Sequence, residues 1–546
     1  MFCSNCGKEL ADGSMFCNYC GTKQVVKKVC SSCGTELPSD AMFCHVCGTK
    51  VSGNTKPVKN YETPLSSFEI EKRDKHTILT KYIGDESDVV IPYGITQIGA
   101  SAFEDCENIN SVVIPDGVTH IGDSAFAGCS LKTVSIPESV LYIGEYAFGN
   151  SLLENAELLF GVICINNGAF NNTQIKSVTI PDSVEYLGNY VFSDCSNLKS
   201  AFLPGSIKNI GTYLFGSCKN LKEVIISNGI EDIGESAFSS CEALESIILP
   251  DSTDWICNDA FNGCSSLKTM VIPSSVNVIG ERAFINCTGL ESVEFNTNSV
   301  EIGTHAFEYC SSLKSVILPS IGYCVPDYTF SRCQSLEAVE LPDDLGSIGE
   351  HAFEGCTNLS SIILPESLTT IGEYAFWGCE NLTHIDLPKR VDYISEGAFK
   401  ESGITSITMP SGLSSLGSQV FSNCENLVSV KLSDTSIPER AFEECKSLRE
   451  VNIPNGVGII NNSAFYGCES LNSVSIPESV FLIGSAVFKG CTELEEVYLP
   501  YRILGLGSVV FQGCDNLTLY VSENSLSQKY AEFYDIPYLL SFILNV

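Results

Sequence analysis

A phenylalanine, usually preceded by alanine, returns nineteen times between Phe103 and Phe511 at a step of 23 residues, with a few steps of 22 and one of 21. A fixed period of this length is the mark of a stacked solenoid, in which each coil contacts only its neighbours. That single feature overrides the several-domain expectation that 546 residues would otherwise raise.

Positions within the unit are fixed relative to the anchor. After Phe238 comes SSCEALESIILP, with Cys241 at three, Leu244 at six, Ile247 at nine, Leu249 at eleven and Pro250 at twelve. The alternation at nine and eleven predicts a short strand with those side chains inward. The proline after it ends ladder bonding and turns the chain. An Ile-Gly pair makes a second bend, and the segment from there through Ala-Phe to Cys has room for one or two helical turns. Stacked strands lie about 4.8 Å apart, so nineteen coils give a curved body roughly 90 Å long.

Cysteine follows the anchor by three in sixteen units. After Phe148, Phe170 and Phe399 its place is taken by Ser151, Thr173 and Ser402. A small buried side chain offering a weak hydrogen bond to a loop carbonyl explains all of these. Cys164, Cys257 and Cys324 lie off this ladder, and Cys257 takes the usual glycine position, so its coil is expected to bend differently. Residues 149–169, 254–258 and 321–328 depart from the pattern.

A different cysteine pattern opens the chain. Cys3, Cys6, Cys17 and Cys20 form two Cys-x-x-Cys pairs ten residues apart, and Cys30, Cys33, Cys44 and Cys47 repeat the arrangement. Two such knuckles can enclose one tetrahedral ion, and four thiolates make a closed, structural zinc site. A module of this size buries too little apolar surface to fold alone, so metal binding must supply the folding energy. Two structural zinc ions are therefore expected. His45 stands between ligands of a site already full.

These residues set the expected organisation. A zinc ribbon occupies 1–24 and a second 25–50. A polar, Pro- and Gly-containing linker covers 51–66, an amino-terminal cap 67–91, the solenoid of β-rich coils with short helical turns 92–515, and a carboxy-terminal cap 516–546. In the first cap, Phe68–Ile70 and Ile78–Tyr82 read as two short strands. In the second, Ser525 is placed to cap a short helix through Tyr534, followed by an extended piece at Ile536–Tyr538.

Two resemblances follow from these motifs. The coils, most plainly VVIPDGVTHIGDSAF (Val112–Phe126) and VSIPESVFLIGSAVF (Val474–Phe488), resemble the BspA-like, treponemal-type leucine-rich repeat family. The pattern FCxxCGxxL…FCxxCG at Phe2–Leu10, Phe16–Gly21 and Phe43–Gly48 resembles the bacterial double zinc ribbon. Many members of the first family are bacterial surface proteins implicated in adhesion, a setting that requires export.

Charge and hydropathy bear on function. Net charge is −35, yet residues 1–60 hold seven lysines and four acids, so the acidity belongs to the repeats. An acidic solenoid repels phosphate backbones, which argues against nucleic acid as its partner. The start, MFCSNCGKEL, contains no apolar run of the kind that directs export, and no stretch of about 18 apolar residues occurs. A cytoplasmic protein without a membrane span is the expectation.

The outward strand positions suggest where a partner binds. One row is mainly Ser and Thr. The next carries Phe202, Ile225, Ile248, Val271, Ile317 and Ile363, with Glu294 and Glu340 among them. Exposed apolar rows mark interaction surfaces, although β-branched residues also simply favour strands. The six histidines are scattered among the repeats without a nucleophile to match, and His384 with Asp386 reads as a solvated pair. The functional expectation is a non-enzymatic protein-interaction scaffold, its zinc ribbons an auxiliary docking module. The alternatives are a surface adhesin exported by another route and a nucleic-acid-associated protein acting through the ribbons.

Overall fold

The computed structural model describes residues 63–540 except 159, together with two short strands, Lys28–Val29 and Glu36–Leu37, that pair antiparallel. The eight ribbon cysteines lie outside the described residues.

Each coil runs along three sides. The first is a strand of two to four residues, such as Ser200–Leu203 or Thr269–Ile272, paired in parallel with its counterparts one coil before and after. The second is a two-residue strand such as Asp232–Ile233, also in parallel register with its neighbours. The third is the turn that carries the anchor. Proline lies between the first two sides, and its carbonyl accepts the N–H three residues on, as with Val140 and Pro137 (3.0 Å).

The anchor turn is not helical. The residues two before and two after the phenylalanine hold left-handed backbone in coil after coil: Ser101 (φ 55°) and Asp105 (φ 56°), Tyr190 and Asp194 (both 60°), His305 (59°) and Tyr309 (61°). A right-handed helix cannot pass through such residues, and each costs roughly 1–2 kcal/mol where it is not glycine. The compensation is a third ladder between coils. Ser101, Phe103 and Asp105 donate their N–H groups to Asp123, Ala125 and Ala127 of the next coil, at 2.7–2.9 Å. The intervening amides of Ala102, Glu104 and Cys106 close tight turns within their own coil.

Packing follows from this stacking. The anchor rings form one column from Phe103 to Phe511, successive centroids 4.8–5.7 Å apart and nearly parallel. The leucine or isoleucine column and the two strand columns complete a continuous buried core. Beside the rings, each ladder thiol from Cys129 onward donates to the carbonyl of the preceding coil's phenylalanine, as Cys218 does to Phe192 (3.0 Å) and Cys287 to Phe261 (3.1 Å). Ser151 and Thr173 instead donate to their own coil's Phe148 and Phe170 (2.7 and 2.9 Å).

Both ends of the column are closed. At the start, Phe68–Arg73 and His76–Tyr82 form an antiparallel hairpin, and Tyr82 stacks on Phe103 (5.2 Å) while its hydroxyl donates to Glu86 (2.6 Å). At the finish, Ser525 caps the helix Leu526–Phe533 by accepting from the Gln528 N–H. Tyr530 of that helix meets Phe511 edge-on (6.3 Å), and its hydroxyl accepts the Val510 N–H (2.7 Å). Tyr538–Leu540 then adds a last parallel strand.

Cys257 does not bend its coil away from the common path. Its N–H donates to Ile233 O at 2.9 Å and Ala260 closes on its carbonyl, the same bonds that Gly280 makes one coil later. The side chain is accommodated half-buried.

Candidate functional site on the strand face

On the first side of the coils, side chains nine and eleven after a typical anchor face the core, and those eight and ten after it face outward. Val293 and Val316 are buried, while Ser292, Glu294, Ser315 and Ile317 are not. The six apolar positions divide into two groups. Ile248 (82% exposed), Ile317 (64%), Ile363 (85%) and Val271 (44%) stand out into solvent. Phe202 and Ile225, expected beside them, are half-buried. Register turns the rest of the row into an alternation: Val271 lies beside Glu294, and Ile317 beside Glu340. The surface from 271 to 363 is thus apolar and acidic by turns, with hydroxyls of Thr269, Ser292, Ser315 and Ser361 alongside.

The sheet on this side is interrupted. Residues 246–249 and 384–387 join no strand, and the ladder falls into separate runs of four, three, five and seven strands. A third break separates Asn155–Glu157 from Ser177–Thr179, and the phenylalanine column passes all three unchanged, with spacings of 5.2, 5.3 and 5.4 Å. His384 and Asp386 project from the second gap, 3.4 Å apart and both open to solvent.

The turn edge holds a feature that scattered histidines did not reveal. His305, Tyr328, His351 and Tyr374 stack in consecutive coils, with centroids 4.5, 4.6 and 5.1 Å apart. All four occupy the left-handed position two before the anchor. His305 Nδ1 is 2.7 Å from Glu308, and His351 Nδ1 is 2.7 Å from the buried Glu354, which also accepts from Arg332 (2.7 Å). Among the described residues no hydroxyl or thiol hydrogen-bonds to either imidazole, and each His–Glu pair braces the edge within its own turn. The period would have exposed the stack: 305, 328, 351 and 374 are 23 apart.

The buried thiols are inert by the same geometry. Desolvation pushes Cys195 up to about 11 and Cys287 up to about 12, against small lowering by their hydrogen bonds. Thiolate is the reactive form, so such groups neither bind metal nor exchange disulfides near neutral pH. Among the described residues no cluster of His, Cys, Asp and Glu could hold a metal ion. No helix among them is long and apolar enough to cross a membrane.

The model of the BspA type leucine rich repeat region, six copies in length, matches residues 82–199, 186–314, 300–428 and 414–540. The chain belongs to the BspA-type leucine-rich repeat family. The double zinc ribbon model matches residues 3–48, which places a ribbon segment ahead of the BspA-type coils. Solved structures similar to the chain include a leucine-rich repeat protein from Bacteroides ovatus (26% identity, 67% of this chain and 92% of that one, TM-score 0.46). Others are a leucine-rich repeat protein from Eubacterium ventriosum (25%, 60% and 89%, TM-score 0.34) and a leucine rich cell surface protein from Faecalibacterium prausnitzii (22%, 85% and 98%, TM-score 0.33). No curated protein matches the chain.

Proposed function

We propose that this BspA-type protein is a non-enzymatic scaffold that binds a protein partner along its strand face, with the ribbon segment as an auxiliary docking module. The observation that carries the reading is the exposed row of Ile248, Val271, Ile317 and Ile363 on a rigid stack. Large apolar side chains held out into water on a rigid support are what an interface core requires. Glu294 and Glu340 lie between three of them, so the partner fits best if it presents apolar anchors about two strand spacings (~10 Å) apart with Lys or Arg between.

The test replaces Ile248, Ile317 and Ile363 together by serine and compares proteins captured from the native cell by quantitative mass spectrometry. Loss of a reproducible set from the variant, with unchanged circular dichroism and melting, supports the reading. An unchanged set refutes it.

For the ribbons, two structural zinc ions held by Cys3, Cys6, Cys17, Cys20 and by Cys30, Cys33, Cys44, Cys47 remain the proposal, supported by the double zinc ribbon match over residues 3–48. Metal analysis of protein purified without chelator is expected to give about two zinc per chain. A reducing, cytoplasmic setting suits the nineteen free thiols among the described residues.

A further inference from the structure

Three observations meet on the coil between Phe238 and Phe261. Its sequence breaks pattern at Asp254-Trp255-Ile256-Cys257. Its first strand, residues 246–249, makes no ladder. Its second side lines a cavity of about 500 Å³. That volume lies in the range of small-ligand sites. The cavity faces away from the strand row just described, since it is built on the two-residue strands.

The register places the lining residues. Asn209, Asp232 and Trp255 occupy equivalent positions on consecutive strands, so they stand in a line about 4.8 Å apart. Asn189, Glu235 and Asn258 come from the bends beside them. Trp255 is half exposed, stands in register between Asp232 and Val278 and, unlike Trp377, has no ring or cation against its face among the described residues.

The polar groups are oriented in advance. Asn189 Oδ1 accepts the Thr212 N–H (2.9 Å) and Asn258 Oδ1 accepts the Glu281 N–H (2.9 Å). Each amide is therefore fixed with its NH₂ turned to other partners. The Asn209 amide, oriented to suit its neighbours, donates to Asp232 Oδ2 and Lys208 O, both at 3.0 Å. The second Asp232 oxygen and the Glu235 carboxylate are left as acceptors.

We infer that this cavity is a binding site for a neutral pyranose sugar, presented as an oligosaccharide. The exposed part of the Trp255 indole matches the apolar C–H face of a pyranose ring, and the fixed amide donors with paired carboxylate acceptors match its ring of hydroxyls. The carboxylates of Asp232 and Glu235 reject acidic sugars. A proline-rich peptide, the other ligand that seeks aromatic faces, requires a groove of several rings and few acids, and here one ring is set among five polar side chains. Burial, with the like charges of Asp254 and Glu231 behind it, raises Asp232 above the usual carboxylate range, which accords with a recessed group.

The chain has only two tryptophans, so Trp377→Phe leaves Trp255 as the sole indole reporter. The full-length Trp377→Phe protein is titrated with cellotetraose, maltotetraose and chitotetraose, and separately with hexaproline. A saturable change in Trp255 emission with at least one tetrasaccharide is expected, with affinity tenfold or more weaker after Asp232→Ala. Should that variant not fold, Glu235→Gln is expected to weaken binding threefold or more. The inference is overturned if folded protein responds to none of the three sugars. It is overturned equally if the response survives both carboxylate changes, or if hexaproline alone elicits it. Since the site lies on another side of the coil, loss of the protein partner on the strand-face variant leaves this outcome unaffected.

Discussion

The anchor edge and the strand face of the same coils obey opposite rules. Along the anchor edge, one ring, one thiol or hydroxyl and one set of bonds to the next coil recur from Phe103 to Phe511. Along the strand face, outward residues change from Val113 to Glu294 to Ile363 to Lys431 without disturbing the stack. The difference is a matter of what each side chain touches. An anchor ring contacts the rings before and after it, so every coil constrains two others. An outward strand residue contacts chiefly water and its ladder neighbours, so it is free to carry recognition.

The largest expected break of this contrast is alkaline. Each buried ladder thiol is raised above its unfolded pKa of about 8.5, so the unfolded chain releases protons that the folded chain retains. The stabilising preference for the neutral thiol is whole below about pH 8.5 and is lost as pH climbs toward 11–12, at about 1.4 kcal/mol per pH unit for each thiol. Because many thiols act together, circular dichroism under reductant should show steep unfolding well below pH 11.

Second in size is the anchor itself. Phe284→Ala removes a fully buried ring stacked at 5.2 Å on both sides, and about 3–5 kcal/mol should be lost by urea unfolding. Third is the carboxy-terminal cap, where Tyr530→Phe keeps the edge-on ring but strands the buried Val510 N–H, for about 1–3 kcal/mol. Smallest is the face: Ile317→Ser or Ile363→Ser should shift stability by no more than about 0.5 kcal/mol. A strand-face change that cost as much as Phe284→Ala would erase the distinction between the two sides.

Much of this was open to inspection in the sequence. The period, the inward positions and the two caps follow from spacing, because side-chain direction alternates in a strand and apolar residues mark the inward set. The anchor turn was not, and the expected helical turns gave way to left-handed residues. Ser101, Tyr190 and His305 carry no glycine signature, and the bonds that offset their strain come from the neighbouring coil, beyond any local window. The half-burial of Phe202 and Ile225 likewise does not follow from position within the unit, which Ile248 and Ile363 share while standing 82% and 85% exposed. The cavity beside Trp255 did leave a trace, in the irregular residues 254–258, but only three dimensions gather Asn189, Asp232 and Glu235 around it.

Wherever a ladder thiol bonds a carbonyl of another coil, the bond runs in one direction, from its own coil back to the one before it. On a ribosome the earlier coil emerges first, already offering the acceptor and the ring on which its successor lands. Every junction also offers much the same landing place, so a gene that duplicates or drops one twenty-three-residue unit yields a chain that still closes on itself. Such a molecule can lengthen or shorten over generations by whole turns, carrying its recognition surfaces farther apart or closer together without inventing a new fold.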